Sequence, residues 1–110
     1  MAEIISFDDF KKTELKVAKI LNAEDIPGKD RLYKLEIDIG EEKPRTLFAG
    51  LKPHYDKEFL VGKQIIVVAN LQPRRIGSVE SQGMLLAVDV DDKPILIFPE
   101  KPVPEGSLVR

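Results

Sequence analysis

The chain has no cysteine, no tryptophan and a single histidine, His54. Disulfides, thiolate metal sites and cysteine nucleophiles are thereby excluded, and a reducing compartment is compatible with that composition. One histidine without cysteine cannot supply ordinary zinc ligation, and His54, beside Pro53 at the expected start of a helix, reads as a surface residue. Aromatic residues make up only 6%, too few to build a multi-aromatic groove for single strands. No apolar run approaches the roughly 20 residues that cross a bilayer. The opening Met1-Ala2-Glu3-Ile4-Ile5-Ser6 lacks the basic start and long apolar core of a leader, so a soluble, cytoplasmic protein is expected. Neither charge sign dominates: 17 Lys and Arg against 19 Asp and Glu leave a formal net charge of −2, so any anion-binding face must be local.

What is present is patterned for one β domain of 110 residues. Ser6 followed by Asp8 and Asp9 is a helix start, predicting a short helix to about Lys12. Leu15 to Leu21 alternates imperfectly, which predicts a strand that bends or bulges. After the turn residues 27–30, Tyr33, Leu35, Ile37 and Ile39 share one face and Lys34, Glu36 and Asp38 the other, the cleanest strand in the chain. Residues 46–49 complete a hairpin, 53–60 are expected to be helical, and 64–71 read as a strand buried on both faces. Strands at 84–88 and 95–98 follow, with a loop over 72–78 and an extended tail marked by Pro99, Pro102 and Pro104. Three strands, a short helix and two more strands is the order of an OB-fold, a five-stranded Greek-key barrel. The remaining strand-rich tail would cover a barrel edge or pair with another subunit.

Catalytic patterns are missing. No strand-linked GxGxxG or GxxxxGK[ST] exists to hold a phosphate, and Ser81 stands in no nucleophile elbow. The pairs Glu41-Glu42 and Asp91-Asp92 fall in turns, where solvated charge is the simpler reading. A non-catalytic chain with neither cofactor nor metal is expected. The one constellation suited to recognition is Pro73-Arg74-Arg75-Ile76, running into Ser81-Gln82-Gly83-Met84. Guanidinium groups grip phosphates bidentately, and Ser and Gln offer neutral hydrogen bonds, although two arginines in a loop are more often simply solvated. Arg31, Lys34, Arg45 and Lys52 would extend a positive face if the fold expectation holds. Gly83 and Met84 also have plain readings, as a turn residue and a core filler.

The segments Val68-Ala69-Asn70-Leu71-Gln72-Pro73-Arg74-Arg75 and Val79-Glu80-Ser81-Gln82-Gly83-Met84-Leu85-Leu86-Ala87 resemble the tRNA-binding domain found at the C-terminus of many methionyl-tRNA synthetases and as free-standing tRNA-binding proteins. The resemblance runs on through Gly28-Lys29-Asp30-Arg31-Leu32-Tyr33, Asp38-Ile39-Gly40 and Val61-Gly62-Lys63, so it covers nearly the whole chain. It implies an OB-fold and a C-terminal extension over about 93–110 that supports a homodimer. It further implies tRNA binding by shape and backbone in the service of an aminoacyl-tRNA synthetase, methionyl-tRNA synthetase first. The binding residues it implies are Arg31, Arg74, Arg75, Ser81, Gln82 and Met84, to which the strand pattern adds Lys34. Many family members carry Lys at the place of Gln72 and Arg-Gly at Gly77-Ser78, so this loop has fewer cations and a modest affinity is expected. A protein-interaction or chaperone-like module on the same fold is the alternative, and the negative net charge suits it.

Overall fold

In the computed structural model, which describes residues 2–110, the chain opens with helix α1 (Phe7–Lys11). Its N-cap Ser6 accepts the Asp9 amide at 3.0 Å, as the sequence predicts. Strands β1 (Leu15–Ile26) and β2 (Lys29–Asp38) pair antiparallel around the turn at Pro27-Gly28. The expected irregularity in β1 is a bulge: Ile20 faces Ile37, the next pair is Asn22 with Glu36, and Leu21 is the extra residue. Ile20 and Ala23, three apart, would point to opposite faces of a regular strand, and the bulge brings both into the core.

Strand β3 (Arg45–Ala49) extends the sheet beyond β2. The helix expected over 53–60 is shorter. The amides of His54 and Tyr55 both bond to Leu51 O in a turn, Asp56 is extended, and α2 covers only Lys57–Leu60. Strand β4 (Gln64–Val68) runs beside β1 and stops before the expected residue 71. Its end is tied to the start of β1, since Asn70 Oδ1 accepts from Glu14 N at 2.8 Å and Asn70 Nδ2 donates to Lys12 O at 2.6 Å. The segment expected as a loop is a hairpin of β5 (Arg74–Ile76) and β6 (Val79–Ser81). The expected fifth strand divides at Leu86. β7 (Met84–Leu85) joins β4, while β8 (Ala87–Val90) forms a separate hairpin with β9 (Lys93–Leu96). Asp91 and Asp92 both take positive φ, 51° and 64°, at that turn, as a two-residue type I′ connection requires. Strand β10 (Leu108–Val109) returns to the start of β1.

The main sheet runs β3-β2-β1-β4-β7 with β10 beside β1, an OB-like, nearly all-β architecture. The expected barrel is not closed by a backbone ladder. β3 and β7 end the path, and the short β6-β7 segment spans the gap by isolated hydrogen bonds to β3. Inside lie Ile20, Leu35, Ile37, Leu47, Ile65 and Val67, all fully buried, each contributing about 1.5 to 3 kcal/mol by leaving water. The tail after β9 is fastened by backbone bonds between Val17 and Gly106 and Ser107, and by two further contacts. Gly40 and Gly106 touch backbone to backbone, where a Cβ on Gly106 would lie 2.7 Å from Ile39 O. The Gln64 carboxamide brackets Val103, donating to its O at 2.5 Å and accepting from its N at 3.0 Å. No helix among the described residues is long and apolar enough to cross a membrane.

Candidate nucleic-acid interface

A row of paired residues crosses the open edge of the sheet. Arg74 lies opposite Ser81 in the β5-β6 hairpin, Ser81 reaches Phe48 on β3, Phe48 lies opposite Lys34 on β2, and Lys34 lies opposite Glu24 on β1. Because the Tyr33 row is buried, Lys34 and Phe48 present their side chains on the outer face. Arg74 and Arg75 are both exposed at the rim, and Arg31 is exposed on β2, its carbonyl facing Gly50 just beyond β3. None of these three arginines takes part in an ion pair among the described residues, whereas Lys34 is 3.6 Å from Glu24.

Three residues expected on this face are engaged in internal bonds. Ser81 is buried, at 6% exposure, and its hydroxyl accepts from Phe48 N at 3.0 Å while donating to Gly83 O at 3.2 Å. It holds β6 against β3. Arg45 does not extend the free positive face. Its Nε and Nη2 grip both carboxylate oxygens of Glu41 at 2.8 and 2.7 Å, and Nη1 donates to Ala69 O at 2.6 Å and Gln82 O at 3.3 Å. The Glu41 carboxylate raises the Arg45 pKa, and Arg45 in turn holds Glu41 below the usual carboxylate range. Lys52 is likewise engaged, 3.2 Å from Asp25, which also meets Lys57 at 3.0 Å. Hydrogen bonding first to Lys57 and then to Lys52 lowers the Asp25 pKa, and the same bond raises that of Lys57.

Gln82 and Met84 are exposed, as their expected role requires. Gln82 N donates to Thr46 O at 2.8 Å and its Oε1 accepts from Thr46 N at 3.1 Å, leaving Nε2 without a partner among the described residues. Met84, 45% exposed, rims a groove of about 390 Å³ that it shares with Phe48, Leu51, Val88 and Asp89. The sequence offered no signal for Phe48, whose position depends on the register between β2 and β3, nor for Glu41 as the partner that withdraws Arg45. Among the described residues no group of three or more His, Cys, Asp or Glu could hold a metal ion.

The structure is an OB-like sheet that carries exposed arginines and an apolar groove on its surface. Residues 15–108 match the family described as "Putative tRNA binding domain", and the chain belongs to that family. It is 51% identical over 107 residues to the methionine–tRNA ligase of Methanococcus aeolicus, covering 97% of this chain and 16% of that protein. With the methionine–tRNA ligase of Pyrococcus horikoshii it shares 47% identity over 108 residues, covering 98% of this chain and 15% of the relative. The chain thus spans about a sixth of the curated relatives it matches. Among solved structures, a protein related to methionyl-tRNA synthetase from Pyrococcus horikoshii superposes with a TM-score of 0.90 at 37% identity, covering 99% of this chain and 100% of that one. The chaperone CsaA of Bacillus anthracis gives 0.89 at 27% identity, covering 98% and 100%. Both structural neighbours are therefore chains of the same extent as this fold, and the ligases carry it as one part of a longer protein.

Proposed function

We propose that this chain binds tRNA by its shape and backbone, largely without regard to sequence, and delivers it to an aminoacyl-tRNA synthetase, methionyl-tRNA synthetase first. The family match over nearly the whole chain carries the reading. Arg31, Arg74 and Arg75 contact phosphates, Lys34 adds to them when it leaves Glu24, Gln82 donates to an acceptor on the RNA, and Met84 gives an apolar contact. The protein has no catalytic role of its own and acts in the cytoplasm as a free-standing tRNA-binding protein or β subunit, raising the local concentration of tRNA for a synthetase on another chain. It acts as a single domain with a dimerising extension over about 93–110. In support, exposed Phe7, Phe10 and Leu108 gather about one groove where α1 meets β10. The experiment is a filter-binding titration with bulk tRNA and with single-stranded RNA of equal length, at two salt concentrations. Salt-sensitive preference for folded tRNA is expected, and equal or absent binding at low salt overturns the reading. Sedimentation of the same protein tests the dimer, which a monomer at micromolar concentration overturns.

The likeness to a chaperone structure favours one second reading, a module that takes unfolded peptide in the Met84 groove. It predicts peptide binding that salt leaves unchanged.

A further inference from the structure

We infer that Arg45 is a positioning residue for the RNA face, fixing Gln82 so that its Nε2 donor is offered to the ligand. The inference rests on the tRNA-binding reading above. A guanidinium has five N–H donors, and Nε, Nη2 and Nη1 are already committed to Glu41, Ala69 and Gln82. With its side chain only 20% exposed, Arg45 cannot take a phosphate without surrendering Glu41. Three segments meet at this one side chain: the β2-β3 turn through Glu41, the end of β4 through Ala69, and the β6-β7 link through Gln82. They meet where the sheet lacks a closing ladder, and Arg45 joins the few isolated hydrogen bonds that hold the link to β3.

Gln82 is held from three sides. Its carbonyl accepts from Arg45, its amide donates to Thr46 O, and its Oε1 accepts from Thr46 N. A free carboxamide can turn over and offer either an acceptor or a donor. Here the Thr46 bond to Oε1 fixes the orientation, so Nε2 is the donor held toward an acceptor: a phosphate oxygen, a ribose 2′ oxygen or a base carbonyl or ring nitrogen. Preorganising a neutral donor in this way costs less on binding than ordering a mobile one.

The test compares Arg45→Lys, Glu41→Gln, Gln82→Ala and the Arg45→Lys/Gln82→Ala double variant by tRNA titration over a range of salt, with amide hydrogen exchange at Gln82 and Thr46. Arg45→Lys keeps the charge and loses the fork, and Glu41→Gln keeps the shape and loosens the clamp. Each is expected to weaken tRNA binding about tenfold with the slope of log K on log salt unchanged, and to speed exchange at Gln82. In the Gln82→Ala background, Arg45→Lys should then cost nothing further. Tighter binding by Glu41→Gln or additive effects in the double variant would each make Arg45 a phosphate ligand and overturn the inference. Failure of the unmodified protein to bind tRNA at low salt is a separate result and removes the reading beneath it.

Discussion

Ser81 Oγ lies 3.0 Å from Phe48 N, so a hydroxyl on the short strand β6 takes the place of a backbone carbonyl beside β3. That bond is how the β5-β6 hairpin, with Arg74 and Arg75, is carried by the main sheet. Replacing Ser81 with Ala leaves a half-buried amide without an acceptor. We expect a loss of about 1 to 3 kcal/mol of stability, read by urea unfolding, with the salt slope of tRNA binding unaltered. A lost slope with full stability would return Ser81 to the RNA contacts.

Arg74 and Arg75 are the exposed, unpaired cations of that hairpin. Arg74→Ala/Arg75→Ala is expected to lower the salt slope of tRNA binding by about two while circular dichroism and the melting transition stay as they were. An unchanged slope would remove the pair from the interface.

Gly83, between Gln82 and Met84, has φ +126°, and a Cβ there would come within 2.9 Å of Val68 O and 3.3 Å of Val67 Cγ1. Both the conformation and the close approach exclude a side chain. Gly83→Ala should cost about 2 to 4 kcal/mol, measured by chemical denaturation, and should weaken RNA binding by moving Met84.

Acid should loosen the face before it unfolds the core. Asp25 and Glu41 both have folded pKa values below the usual range because of Lys57, Lys52 and Arg45. A depressed folded pKa contributes stability above the unfolded value, about 4 for such carboxyls, and that contribution disappears as pH falls through the lower folded value. Protection of the Gln82 amide, taken relative to its intrinsic exchange rate, is thus expected to fall below about pH 4, and Glu41→Gln should show the low protection already at neutral pH with little further acid dependence.

The sequence made β1 to β4 readable because alternation survives wherever one face is buried, as at Tyr33, Leu35 and Ile37. It hid the β5-β6 hairpin because three-residue strands carrying Arg74, Arg75 and Glu80 have no apolar period. The Gly77-Ser78 turn between Ile76 and Val79 was the only cue. The site divided in the same way. Exposure of Arg31, Arg74, Arg75, Gln82 and Met84 follows from local pattern and family resemblance. The withdrawal of Ser81, Arg45 and Lys52 into internal bonds depends on Phe48, Glu41 and Asp25, partners brought close only by register and turn geometry.

The bracket that Gln64 makes around Val103 has a consequence for how the tail is read by the rest of the molecule. A carboxamide carries the same donor and acceptor pair as a peptide unit, so Gln64 mimics one rung of a strand that the chain never builds. The position of Val103 is therefore written by a single side chain on β4, and Gln64→Glu, which keeps the acceptor and erases the donor, would free the stretch around Val103 while Gly106 and Ser107 stay bonded to Val17 and every strand of the sheet stays paired.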